Sequence, residues 1–304
     1  MLLAVLCCSL ATANPLDDSL TALKKDVQAI VDTSSAKYNC SFSVAVKNPG
    51  LGLLSFSSGK DVNVDSRFAW GSITKMWTGA SIMQLVASGD LELEQKIAPI
   101  VDDQLKAMKA AGFPGMTNWS TLEDLYGPEV GNVTLHNLLH MQSGIPDFDT
   151  ANPSRTGPDL DPFRATVYAN PKQSWAETTL MSEPWVAKGK LESVPGTGFH
   201  YSTTNFGILG LILAKHSGQS DYRQFNQSSF LPASLLALVS KKIDWGVVGS
   251  PQDHGVIEGF DRTDYNGQDP KKNPAGISVV DVGGVFAGWS GADFVGTPSA
   301  VAEM

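Results

Sequence analysis

Positive charge is in short supply in this sequence: 22 Lys and Arg face 31 Asp and Glu, for a formal net charge of −9. Such a surface repels phosphate backbones and anionic membrane faces, and no Lys/Arg run reverses the sign locally. Nucleic acid is therefore not an expected partner. Cysteine is scarce as well, with only Cys7, Cys8 and Cys40 in 304 residues. No stretch is apolar over the length that a transmembrane span requires. Phosphate-binding glycine loops are missing, and the G-x-S-x-G nucleophile elbow fails at Gly288-Trp289-Ser290-Gly291-Ala292, which breaks after its fourth position. No fixed-period repeat or low-complexity segment occurs.

What remains is a chain with 42% hydrophobic and 17% charged residues, enough to bury a sizeable core as one large domain or two intimate lobes. Its first ten residues are apolar apart from one serine, and Ala11-Thr12-Ala13 follows as an A-x-A cleavage pattern. Residues 1–13 therefore read as a signal peptide and the localisation as secreted. The alternative is an ordinary buried N-terminal segment, because no Lys or Arg precedes the run. Cleavage after Ala13 would leave Cys40 alone, with no internal disulfide in the mature chain. Sequons at Asn39, Asn118, Asn132 and Asn226 fit a secreted glycoprotein.

Leu20, Leu23, Val27, Ile30 and Val31 recur at helical spacing and predict an amphipathic helix over Leu16 to Val31. Ser41 to Lys47 alternates, breaks at Asn48-Pro49-Gly50, and is followed by Leu51 to Ser57, the pattern of a β-hairpin. From Thr74, the residues Trp77, Ala80, Ile82, Met83, Leu85 and Val86 predict a well-buried helix ended by Gly89. The middle reads as helical patches separated by Pro/Gly-rich loops, including Asn152 to Pro171 and Pro195 to Gly198. A second strong helix covers Thr204 to Lys215, with Phe206, Leu209, Leu211, Ile212 and Leu213 as core candidates. The tail from Asp244, rich in Gly, Pro, Asn and Asp, gives no clear strand. The Trp and Met residues read as core.

One stretch carries chemistry. In Phe68-Ala69-Trp70-Gly71-Ser72-Ile73-Thr74-Lys75 an S-x-x-K pattern opens the apolar helix. Three helical residues bring two side chains onto one face, so the Lys75 amine can reach the Ser72 hydroxyl. Backbone N–H groups at a helix N-terminus favour an oxyanion there. An amine in its neutral form can take the hydroxyl proton that makes serine a poor nucleophile. The structural alternative makes Ser72 a helix cap and Lys75 a solvated residue, but apolar neighbours leave little polar face around Lys75.

A second stretch, Pro195-Gly196-Thr197-Gly198-Phe199-His200-Tyr201-Ser202-Thr203, delivers Tyr201 to the start of the second strong helix. A phenol beside a Ser–Lys pair can relay the proton to a leaving group; alone, it would read as a tyrosine packed at a helix entrance. His136 and His140 have i,i+4 spacing, yet Asn137 stands where a zinc protease motif needs Glu. No metal and no cofactor is expected.

These two stretches, with His140-Met141-Gln142-Ser143-Gly144-Ile145-Pro146-Asp147 and Leu209-Gly210 in the same order, resemble the β-lactamase-related serine hydrolases. That family includes class C β-lactamases, D-alanyl-D-alanine carboxypeptidases and related esterases. The resemblance extends over roughly residues 20 to 300. It implies an α+β fold of the β-lactamase/transpeptidase-like kind, a helical lobe with an antiparallel sheet. It also implies Ser72 as the acylated nucleophile, Lys75 as base or proton relay, Tyr201 as the catalytic tyrosine and Thr203 at the substrate-binding position. The family's Tyr-x-Asn is here Tyr201-Ser202-Thr203, and a threonine lacks the amide's paired donor and acceptor. The His140 to Gly144 loop is implied to be architectural.

The family's third motif, His/Lys-Thr/Ser-Gly on a strand lining the site, is not found. His216-Ser217-Gly218 has the letters but reads as a helix C-terminus. Gly283 to Ser290 resembles the region before that motif, and the sequence stops soon afterwards. The expectation is a chain incomplete at its C-terminus. Residues 14–304 would form the related domain, with 14–70 as helix and hairpin and 71–304 as a mostly helical lobe. The hairpin would lack sheet partners, and catalysis would be weak or absent. Two functions follow: a serine acyl-hydrolase acting on a β-lactam, D-amino-acid peptide or small ester, or a secreted, non-catalytic binding or scaffold relative. Partners are thus a small-molecule or peptide substrate, and the oligomeric state is not readable.

Overall fold

The computed structural model describes residues 15–149, 162–262, 271, 274–280 and 282–304. The leader expected at 1–13 lies outside them, as do residues 152–161 of the expected loop. The chain begins with α1 (Pro15–Tyr38) and the hairpin β1 (Phe42–Asn48) and β2 (Gly52–Ser58). The hairpin is antiparallel, with Phe42 opposite Ser58 and Asn48 opposite Gly52. Then come β3 (Phe68–Ala69), α2 (Thr74–Ser88) and α3 (Ala98–Ala110). Short helices α4 (Leu122–Tyr126) and α5 (Leu135–Leu139) follow, each opened by a threonine in a reciprocal capping box. The rest comprises α6 (Pro162–Ala169), α7 (Glu177–Met181), α8 (Thr203–His216), α9 (Ala233–Val239), β4 (Ile243–Trp245), β5 (Phe260–Asp261), β6 (Ile277–Ser278), β7 (Phe294–Gly296) and α10 (Pro298–Glu303).

Helix α8 is the axle of the core. Every residue from Thr203 to Ala214 is buried, as expected for a helix that is apolar on all sides. It packs against α2, α3, α5 and the turn at 289–291. The five core candidates placed on it, Phe206, Leu209, Leu211, Ile212 and Leu213, are all buried. Helix α2 ends where its glycine requires, with Gly89 left-handed at φ 84°.

A second apolar cluster ties α2 to a small sheet of order β3-β7-β4. Trp77 stacks on Phe294 at 4.7 Å between ring centroids, and Trp245 meets both rings edge-on. Burying aromatics of this size contributes roughly 2–3 kcal/mol each, which fixes the N-terminal half of α2 against β7. Among the described residues, the hairpin pairs only with itself and is packed by α1 and α10.

Three local expectations change. The tail from Asp244 does contain strands, β4 to β7, but two or three residues are too short to leave a period-two signature. Residues 162–169 of the expected loop form α6, opened by Pro162, which suits a first helical turn. Met76 and Met83 on α2 are exposed rather than core, because they face away from α8 and the sheet.

Candidate active site

Strand β3 hands the chain through Trp70 to a tight helical turn, Gly71–Ile73, that runs directly into α2. Gly71 sits at φ 53°, a left-handed conformation that favours glycine, and so presents the next residue, Ser72, to solvent. The entrance is clamped from the far end of the sequence. Thr74 Oγ1 donates to the Gly71 carbonyl at 2.6 Å and accepts from the Phe294 N–H at 2.8 Å. Trp70 N–H donates to the Phe294 carbonyl at 3.0 Å.

Lys75 lies one turn below Ser72 and is 8% exposed, not solvated. Its Nζ is 3.0 Å from Ser72 Oγ, 2.8 Å from the Gly291 carbonyl and 3.4 Å from Thr203 Oγ1. Three acceptors therefore face the three N–H groups of an ammonium. A neutral amine has two N–H groups and one lone pair. The carbonyl can only accept, so with the Gly291 and Thr203 contacts kept, the lone pair is turned to Ser72. Gly291 allows this approach because any side chain there would press on Thr203, whose Cγ2 lies 2.7 Å from the would-be Cβ.

Tyr201 completes the constellation. Its hydroxyl donates to Ser72 Oγ at 2.8 Å, and its ring lies 5.1 Å from Lys75 Nζ. The loop at 141–148 holds it there: His200 N–H donates to the Met141 carbonyl and Gly196 N–H to the Gln142 carbonyl, both at 2.8 Å. Ser143 Oγ donates to Asn205 Oδ1 at 2.7 Å, and Thr203 N–H to Asp147 Oδ1 at 2.9 Å. Among these contacts the loop acts on the turn that carries Tyr201. Thr203 is fully buried, and its hydroxyl lies 3.4 Å from Lys75 Nζ, against the amine.

Sequence reasoning missed four contributors. Thr74 and Gly291 act through a clamp and a carbonyl, for which no motif letter exists. Glu177 on α7 is fully buried, pressed against Gly207 on α8. Burial pushes its carboxyl well above the usual range; Asp293 adds to the rise, Lys75 pulls it down and Asp147 pushes it up again. Asp293, also fully buried, is pushed up to about 7 by burial, against the pull of a hydrogen bond from Gln227. The sequence signal for these two is their apolar company, Trp175, Ala176, Leu180 and Met181 near Glu177 and Ala292, Phe294 and Val295 beside Asp293. His136 and His140 meet edge to face at 4.1 Å.

A family model described as Beta-lactamase matches residues 33–237, more than half of the chain. This chain belongs to the beta-lactamase family. It is 27% identical over 165 residues to the probable fimbrial assembly protein FimD, serogroup H1, of Dichelobacter nodosus, covering 54% of this chain and 33% of that protein. It is 27% identical over 185 residues to penicillin-binding protein 4 of Amycolatopsis lactamdurans, covering 60% and 39%. The chain thus spans well under half the length of these curated relatives. Among solved structures, D-amino acid amidase from Ochrobactrum anthropi SV3, complexed with D-phenylalanine, superposes with a TM-score of 0.62 at 20% identity, covering 95% of this chain and 69% of that one. D-stereospecific amidohydrolase from a Streptomyces species gives 0.57 at 17%, covering 86% and 65%. At such identities the likeness is one of fold, β-lactamase/transpeptidase-like and α+β.

Proposed function

We propose that this protein is a serine acyl-hydrolase that forms a covalent acyl-enzyme on Ser72 and releases it with water. The observation that carries the reading is the meeting of Lys75 Nζ and Tyr201 OH on one oxygen, Ser72 Oγ, at 3.0 and 2.8 Å. Lys75 in its neutral form takes the Ser72 proton as Oγ attacks the substrate carbonyl. The Ser72 N–H, at the start of the helical turn, faces the developing oxyanion. Tyr201 donates its proton to the leaving group, and the phenolate is recharged from the lysine side. A water then attacks the ester on Ser72, its proton passing back to the same pair. Thr203 and the Gly291 carbonyl hold the amine in register.

The substrates proposed are esters or amides of small molecules or short peptides, including β-lactams and D-amino-acid peptides. The amidase and penicillin-binding relatives support that range. A non-catalytic binding role has less support, because a scaffold gains nothing from an exposed Ser72 above a buried lysine. Secretion is proposed with it: Asn39, Asn118, Asn132 and Asn226 are all exposed, and the protein collected from a eukaryotic medium should lose mass when its N-glycans are stripped.

The test is turnover of p-nitrophenyl acetate, D-phenylalanine p-nitroanilide and a fluorescent penicillin by the wild type and Ser72→Ala. Turnover or labelling of at least one, lost in Ser72→Ala, supports the reading. Failure of all three in folded wild type removes it.

A further inference from the structure

A cavity of about 210 Å³ opens beside Ser72. Its walls are Phe148, Phe163, Val167, Val282 and Val285, brought from the loop before α6, from α6 itself and from the 283–286 turn. Phe148 and Phe163 pack edge to face at 5.3 Å, and Phe148, Phe163, Val167 and Val282 are each buried. Phe148, Phe163, Val167 and Val282 belong to the main buried cluster, with Val285 packed against it. Neither Lys75 nor Tyr201 lines it.

That last fact sets its role. A leaving group must lie beside the group that protonates it, and in this site that group is Tyr201 or Lys75. A cavity that touches Ser72 but neither proton donor takes the part of the substrate that stays on the serine. Its size and chemistry then set which part is accepted. An apolar cavity of roughly 150 Å³ accommodates benzene, so this one has room for a phenyl ring and a further methylene. Among the described residues that line it, most are apolar, and Asp149 is the ionisable one. An acyl group carrying its own carboxylate would lose hydration against these apolar walls.

We infer that this cavity is the acyl-selecting pocket, built for an uncharged apolar or aromatic acyl group of about benzyl size. The inference rests on the acyl-enzyme reading above and adds the substrate class. Val167 and Val285 set its dimensions from opposite elements.

Two measurements separate the pocket from the chemistry. In the first, p-nitrophenyl acetate, phenylacetate and hemisuccinate, sharing one leaving group, are compared by kcat/KM. Phenylacetate should exceed hemisuccinate by about tenfold or more, the scale of discrimination that apolar burial provides. Val285→Phe, which fills the cavity, should lower the phenylacetate-to-acetate ratio, and Val167→Ala should raise it for longer acyl chains. In the second, binding of phenylacetamide and succinamate to Ser72→Ala is followed by saturation-transfer NMR, which needs no turnover. Phenylacetamide should bind through its ring and succinamate should not, with Val285→Phe weakening the signal. Circular dichroism confirms that each variant is folded. Turnover with no acyl preference overturns the pocket and leaves the hydrolase standing. Ring binding without turnover of any ester, anilide or penicillin keeps the pocket and removes the hydrolase. Equal binding of both amides, or of neither, overturns the pocket.

Discussion

Lys75 Nζ lies 2.8 Å from the carbonyl oxygen of Gly291, a residue 216 positions further along the chain. The contact turns a flexible four-carbon side chain into a fixed one, and it makes the geometry at Ser72 depend on the far end of the fold. A segment from 289 to 296 encloses the entrance of α2, with Thr78 Oγ1 donating to the Ser290 carbonyl at 2.6 Å. Trp289 supports it at a left-handed φ of 39°, buried and stacked on Tyr222 at 4.4 Å. Such a backbone costs on the order of 1 kcal/mol or more and persists only where packing holds it.

Replacing Lys75 by Ala should therefore slow acylation of Ser72 by about 10²–10⁴-fold, the range of general base catalysis. Lys75→Arg should not rescue it, since a guanidinium keeps its proton. Stopped-flow labelling with a fluorophosphonate reads both rates.

Tyr201→Phe removes one hydroxyl and keeps the ring. Its effect should be graded by leaving group: small for a p-nitrophenyl ester, whose leaving group departs unprotonated, and about 10²-fold or more for an amide. A steady-state comparison of kcat/KM for the two substrates checks the grading, and equal losses would point to a packing defect instead.

Trp77→Ala should destabilise the protein by roughly 3–5 kcal/mol, the usual cost of deleting a buried aromatic. Trp77 is fully buried between Phe294 and Trp245. Urea titration gives the loss, and the same variant should lose labelling of Ser72 before it unfolds, because the clamp from Phe294 to Thr74 depends on that stack.

Stability should fall as pH rises from about 4 to 8. Asp293 has its carboxyl raised from the ordinary value of 3.8 to about 7, so between those limits the folded state holds a proton that the unfolded chain has lost. The stabilisation is complete below the unfolded value and disappears as pH passes the folded one. Its size is on the order of 4 kcal/mol at most, at about 1.4 kcal/mol per pKa unit. Glu177, its carboxyl also pushed up by burial, contributes a decline of the same sign. Thermal midpoints measured across this range should show the slope in the wild type and a flatter one in Asp293→Asn.

Much of this was legible in the residues. The apolar period around Trp77 and Ile82 marked α2, Gly89 marked its end, and an unbroken apolar run from Phe206 to Leu213 marked the buried axle. Ser72 and Lys75 were readable because one helical turn is a local distance. Tyr201 was readable only through the company of the other motifs. What local pattern could not show was long-range: the Gly291 carbonyl, the Phe294 clamp, and the inward turn of Thr203. Strands of two or three residues, such as β3 and β7, are specified by their partners and not by their own alternation.

The most direct measurement is the mass of the intact protein after reaction with a fluorophosphonate, followed by peptide mapping. The account predicts one adduct per chain, carried by the peptide containing Ser72, absent in Ser72→Ala and formed far more slowly in Lys75→Ala. An unmodified wild-type chain, or an adduct that persists in Ser72→Ala, would contradict it.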